Sequence, residues 1–181
     1  MKMCMAEATL LVVDIQTGLL PAIADGQRVC EAAAWLLRLA GMLDVPVVVS
    51  EHFPDKIGET APELLELLPP STERVRKTAF SAVRDGVLAH TAVGRSGQVV
   101  VAGTEAHVCV LQTVLDLLET GKQVFVVAEA VGSRRAEDRL LALERMRQAG
   151  AVVVCREMVA FEWLERGGTD LFRDVLRTLI R

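Results

Sequence analysis

The chain has 181 residues, 51% hydrophobic and 24% charged, which is enough for one substantial core and short for two, so a single compact domain over residues 1–181 is expected. A formal net charge of -4 and a pI near 5.5 argue against a general polyanion binder, and no basic run interleaved with aromatics marks a nucleic-acid surface. Four cysteines, at positions 4, 30, 109 and 155, show no CxxC spacing, so neither a disulfide framework nor a zinc cluster is suggested and a reducing, cytoplasmic setting is expected.

The opening "MKMCMAEATLLVVD" carries a positive charge before an apolar run that is too short for a membrane span or a signal peptide and stops at Asp14. It predicts a strand over 9–15. Further β-branched runs follow at 45–51, 74–80 (the weakest), 98–104, 123–130 and 151–157. Between them, 28–43, 108–121 and 136–150 are apolar at i, i+3, i+4 and i+7 and close near glycine, as capped helices do. The strands are too uniformly apolar to have a wet face, which is the mark of a parallel sheet covered by helices on both sides. The expectation is a three-layer α/β/α fold with about six parallel strands. Residues 51–74 break this rhythm with four prolines and only a short helix at 61–68, a candidate lid or substrate loop. The end of the chain, 159–181, predicts two short helices, the second amphipathic and able to pack on the domain or on another subunit.

In open parallel sheets ligands bind beyond the carboxyl ends of the strands, near the point where strand order reverses. That rule gathers Asp14 and Gln16 from the first strand, Glu51, His52 and Phe53 from the second, Lys77 and Phe80 from the third, and the stretch "GTEAHVC" from the fourth. A carboxylate, an ammonium and a thiol on one edge form a plausible acyl-transfer set. Cys109 would attack an electrophilic carbon, Asp14 would take its proton and pass it to the leaving group, and Lys77 would hold Asp14 ionised and favour the thiolate. A helix N-terminus at Cys109 would lower its pKa, and the Glu105 and Cys109 amides would form an oxyanion hole. Gln16, His52, Phe53, Phe80 and His107 are candidates for the substrate pocket, with Trp163 a further aromatic brought in late in the chain or from a neighbour. Cys4, Cys30 and Cys155 are read as structural.

"LLVVDIQ", "RKTAFSA" and "VVVAGTEAHVCVLQTVLDLLETGKQVFVVAEAVGSR" together resemble the isochorismatase-like cysteine hydrolase superfamily, over about residues 9–157. The resemblance implies a Rossmann-like six-stranded parallel sheet of order 3-2-1-4-5-6, a catalytic triad on Asp14, Lys77 and Cys109, and a cis peptide just before the nucleophile, between Thr104 and Glu105. Zinc-dependent nicotinamidases of the superfamily carry Asp-x-His and a second histidine after strand two. Here "SEHFPDKIG" offers His52 alone, so no metal and no other cofactor is expected. "EAHVC" looks most like the isochorismatase domain-containing branch, whose substrates are mostly undefined.

Two readings of function follow. The first is a metal-independent cysteine hydrolase of a small amide, ureido or related acyl substrate, working through a Cys109 thioester. The second is a non-hydrolytic protein in which a low-pKa Cys109 is a redox-sensitive thiol, or a binding scaffold. The expected partner is a small molecule, with neither nucleic acid nor membrane. The apolar C-terminal helices and a mean hydropathy of +0.35 point to a homo-oligomer.

Overall fold

The computed structural model describes residues 1–180. In chain order the elements are β1 Ala8–Val13, α1 Gly26–Met42, β2 Val47–His52, α2 Pro54–Ile57, α3 Pro62–Leu65, β3 Glu73–Lys77, α4 Ala92–Arg95, β4 Gln98–Thr104, α5 Leu111–Glu119, β5 Gln123–Gly132, α6 Ala136–Gln148, β6 Val152–Val154, α7 Arg156–Leu164 and α8 Asp170–Val175. All strand pairs are parallel and their order is β3-β2-β1-β4-β5-β6. The chain starts in the middle of the sheet, builds outward to β3, then returns past β1 to build the other half. The reversal lies between β1 and β4, whose carboxyl ends meet in the register Val13 with Gly103.

Strand geometry sorts the apolar runs into two cores, because successive side chains leave opposite faces. Leu10, Val12, Val47, Val49, Val100 and Ala102 face one layer, with α1 and α7; Leu11, Val13, Val48, Val99 and Val101 face the other, with α5 and α6. All six residues of β1 are buried, which explains why its sequence shows no alternation. Both tryptophans lie in the α1/α7 layer: Trp35 donates its indole N–H to the Leu179 carbonyl at 2.8 Å, and Trp163 is only 2% exposed. The first of these bonds ties the C-terminal segment onto α1, so that segment packs on the domain. Trp163 is therefore a core residue and does not reach the site.

Two strands end short of expectation. β3 stops at Lys77 because the Thr78 and Ala79 amides turn to the Asp85 carboxylate, at 2.5 and 3.3 Å. β6 stops at Val154 because the chain enters α7, where the Glu129 carboxylate accepts from the Arg156 amide. The proline-rich segment 51–74 is pinned: Thr60, Ala61 and Leu64 are buried, and Leu64 alone gains about 1.5 to 3 kcal/mol from burial. Among the described residues no helix is long and apolar enough to cross a membrane.

Candidate functional site

Asp14 follows the last residue of β1 in a left-handed conformation, φ +52°, unusual for a residue with a side chain. Its amide donates to the Ser50 carbonyl at 3.1 Å, its Oδ1 accepts from the Ser50 hydroxyl at 2.7 Å, and its carbonyl accepts from the Thr104 hydroxyl. Lys77, at the end of β3, brings Nζ within 2.6 Å of Asp14 Oδ2, and neither side chain is exposed to solvent. The same ammonium donates to the Ala79 and Phe80 carbonyls, at 3.2 and 3.0 Å, and lies 3.5 Å from His52 Nδ1. Asp14 Oδ2 is thus held by the Lys77 ammonium in a short, fully buried ion pair.

Cys109 sits on the other side of the strand-order reversal. β4 ends at Thr104, Glu105 bends the chain through φ +57° and ψ +56°, and Ala106–Val110 form a single π-helical turn that leads into α5. The seam is tight: a Cβ on Gly103 would lie 2.7 Å from Val13 Cβ, so only glycine lets β1 and β4 approach this closely here. Cys109 is 4% exposed. Its Sγ, a carboxylate oxygen of Asp14 and a ring nitrogen of His52 all lie within 4.8 Å of one another.

Two expectations fail at this bend. No cis peptide occurs among the described residues; the bond between Thr104 and Glu105 is trans, and the left-handed Glu105 makes the reversal instead. The Cys109 thiol is pushed up to about 12, first by burial and then by the Asp14 charge, against which the Lys77 charge works without prevailing. The resting group is therefore a thiol, and the low-pKa premise of a redox sensor is lost.

The remaining candidates divide. His52 packs edge-on against Phe53 at 4.9 Å and beside Phe80 at 5.5 Å, and the two phenylalanines are 41% and 51% exposed, so the three rings form the partly exposed cluster nearest Lys77. Burial and the Lys77 charge hold the His52 pKa below its ordinary value, which keeps the ring neutral. Gln16, in contrast, is used up: its amide donates to the His52 and Gly58 carbonyls, at 3.0 and 2.6 Å, and accepts from the His52 amide at 2.7 Å. It fastens the loop rather than lining a pocket. His107 turns toward the β5–α6 connection, where Nδ1 is 3.0 Å from the Ser133 hydroxyl and Nε2 is 3.7 Å from Glu105; Arg134 pairs with that same carboxylate at 3.2 Å. Sequence reading missed Ser50 and Thr104, the two hydroxyls that fix Asp14, although Ser50 is the first polar residue after the Val47–Val49 run and Thr104 closes β4.

Asp14, His52 and Cys109 offer a carboxylate, an imidazole and a thiol at distances a metal ion could bridge. The Lys77 ammonium, however, already stands between the first two, 2.6 Å from one and 3.5 Å from the other. The donor set is arranged around that cation and does not fit a metal as it stands.

An open parallel sheet with a thiol, a carboxylate and an ammonium gathered at its reversal point defines an α/β protein with a candidate site at the carboxyl ends of its strands. The isochorismatase domain family matches residues 8–158, and the chain belongs to it. Isochorismatase domain-containing protein 2A of Mus musculus is 36% identical over 172 residues, 94% of this chain and 81% of that protein. The structure described as the MAR1 ribonuclease of Caenorhabditis elegans superposes with a TM-score of 0.93 at 33% identity, covering 99% of this chain and 92% of that one. The YcaC product of Escherichia coli, described as an octameric hydrolase of unknown specificity, gives 0.89 at 26% identity, with 99% and 91% covered.

Proposed function

We propose that this protein is a cysteine hydrolase of small amide, ureido or related acyl compounds, with Cys109 as nucleophile, Asp14 as its base and Lys77 as the charge that holds Asp14 ready. The observation that carries the reading is the buried Asp14 carboxylate, placed within 4.8 Å of the thiol and paired with the Lys77 ammonium at 2.6 Å. Since the thiol is protonated at rest, attack and proton transfer occur together: sulfur bonds to the acyl carbon as its proton passes to Asp14. The developing oxyanion is met by the amides of Glu105 and Cys109, a type of donor whose loss costs about 3 to 4 kcal/mol in comparable sites. Collapse expels the leaving group, and water then cleaves the thioester. None of these steps is routed through a metal or cofactor.

The octameric relative and the exposed Leu140, Leu141, Met158 and Phe161 support assembly into a homo-oligomer. The net charge of -4 gives no support for extending a ribonuclease activity to this chain. The test is ammonia release from a panel of small amides and ureides, with mass spectrometry of the intact chain. The expected result is an acyl adduct on Cys109 and loss of turnover by at least about 1,000-fold in Cys109→Ala, with the fold retained. Full activity in Cys109→Ala overturns the mechanism.

A further inference from the structure

Resting on the homo-oligomer reading, the geometry points to the outer face of α6 as a two-fold contact with a second copy of this chain, the two helices crossing antiparallel with Leu141 on the axis. The inner face of α6 is spent: Ala142, Leu143 and Met146 are buried in the same core cluster as Cys109. Leu140 and Leu141 leave the opposite side, 60% and 70% exposed, and among the described residues no large apolar side chain beyond Met1 is more exposed than Leu141. Two adjacent leucines held in water on a rigid helix are surface that association removes.

Charge decides what covers them. Glu137, Leu141 and Arg145 are spaced by four and form one stripe along the helix. The other charged side chains of α6 are engaged within the chain: Arg139 donates to the Ala128 and Val131 carbonyls, Glu144 accepts from Arg147 at 3.1 Å and from Gln148 at 2.8 Å, and Asp138 lies 4.0 Å from His107 Nε2. Glu137 and Arg145, both exposed, have neither ion pair nor side-chain hydrogen bond among the described residues. A stripe with unlike charges at equal distances on either side of a leucine is complementary to itself under two-fold rotation. With the axis at Leu141, Glu137 meets Arg145 of the second copy and Arg145 meets its Glu137, each about 6 Å along the helix from the axis at roughly 1.5 Å per residue. A parallel copy would set Glu137 against Glu137, and sliding an antiparallel copy by one turn would set Leu141 against a charge. Direction and register are thus fixed by the same three side chains. The contact also abuts the functional site, since Asp138, next to Glu137, faces His107 in the turn that carries Cys109.

Sedimentation velocity over a range of concentrations tests this with exchanged charges, thermal unfolding confirming that each variant stays folded. Glu137→Arg and Arg145→Glu should each weaken association by at least about 10-fold, since the two-fold axis places every reversal in two like-charged pairs. Mixing the two single variants should restore association to within about three-fold of the wild-type chain, because one then offers only cations and the other only anions at these positions. Assembly unchanged in either single variant, or weakened and not recovered on mixing, overturns the α6 contact and leaves the homo-oligomer to another face. A wild-type chain that sediments as a monomer removes the homo-oligomer reading and the second copy as occupant together.

Discussion

Two buried carboxylates, Asp14 just after β1 and Glu51 in β2, lie at the carboxyl ends of neighbouring strands and are held by different partners. Glu51 leaves one face of β2, where Oε1 accepts from the Thr60 amide at 2.8 Å, the Thr60 hydroxyl at 2.7 Å and Arg74 at 2.8 Å. Burial pushes its pKa up, but these bonds outweigh it and the group stays below its ordinary value. Asp14 accepts from the Ser50 hydroxyl at 2.7 Å on one oxygen and pairs with the Lys77 ammonium at 2.6 Å on the other. Register explains the separation. His52 is opposite Lys77 and Glu51 opposite Arg76, so alternate residues of β2 and β3 send one cluster to the rim of the site and the other to the proline-rich loop. One carboxylate ties β2 and β3 to the loop through Thr60 and Arg74, whereas the other is paired with a buried ammonium beside the thiol.

The sharpest way to break this contrast is Asp14→Asn, which keeps the shape and removes the base; kcat should fall about 100- to 10,000-fold, and urea unfolding should also show a loss of about 3 to 5 kcal/mol because the buried Lys77 ammonium is left without its partner. Lys77→Met should cost about 3 to 5 kcal/mol by urea unfolding, because it strands a buried carboxylate, and adding Asp14→Asn should restore much of that loss. Iodoacetamide labelling of Cys109, read residue by residue, should be slow at neutral pH and climb about ten-fold per pH unit beyond pH 10. The thiol holds its proton to about 12 when folded but releases it near 9.0 when unfolded, so its contribution to stability is full below pH 9.0 and lost as pH rises from 9.0 to about 12. Smallest of all, Arg74→Ala should lower stability by about 1 kcal/mol, since Glu51 keeps both Thr60 bonds and Arg74 is partly exposed, and should leave the Cys109 labelling rate unchanged.

The sheet was legible because its strands are nearly pure β-branched runs, and the rule of carboxyl ends was enough to bring Asp14, His52, Lys77 and Cys109 to one rim. Even the weak third strand revealed its lysine. What sequence could not convey was depth. A helix start suggests a stabilised thiolate, but the burial that reverses the shift comes from the core cluster in which Cys109 sits with Ala106, Val110, Leu11 and Val13. Nor could it show how side chains are spent: Gln16 looked free for substrate and is consumed by three backbone bonds, while His107 looked adjacent to Cys109 and turns away to Ser133. The bend was located at the right residue and given the wrong bond geometry. Glu105, Asp14 and Phe53 are all left-handed without being glycine, and such strain clusters where surrounding contacts enforce it.

The placement of the two tryptophans has a practical side. The chain has no tyrosine, and Trp35 and Trp163 both lie in the layer across the sheet from Cys109. Intrinsic emission therefore reports on the α1/α7 layer and the docking of the C-terminal segment, and should stay dark to a ligand arriving at the thiol. A fluorescence-monitored melt of any rim variant is in this way a reading of the scaffold alone, and occupancy of the centre calls for a different optical or mass signal.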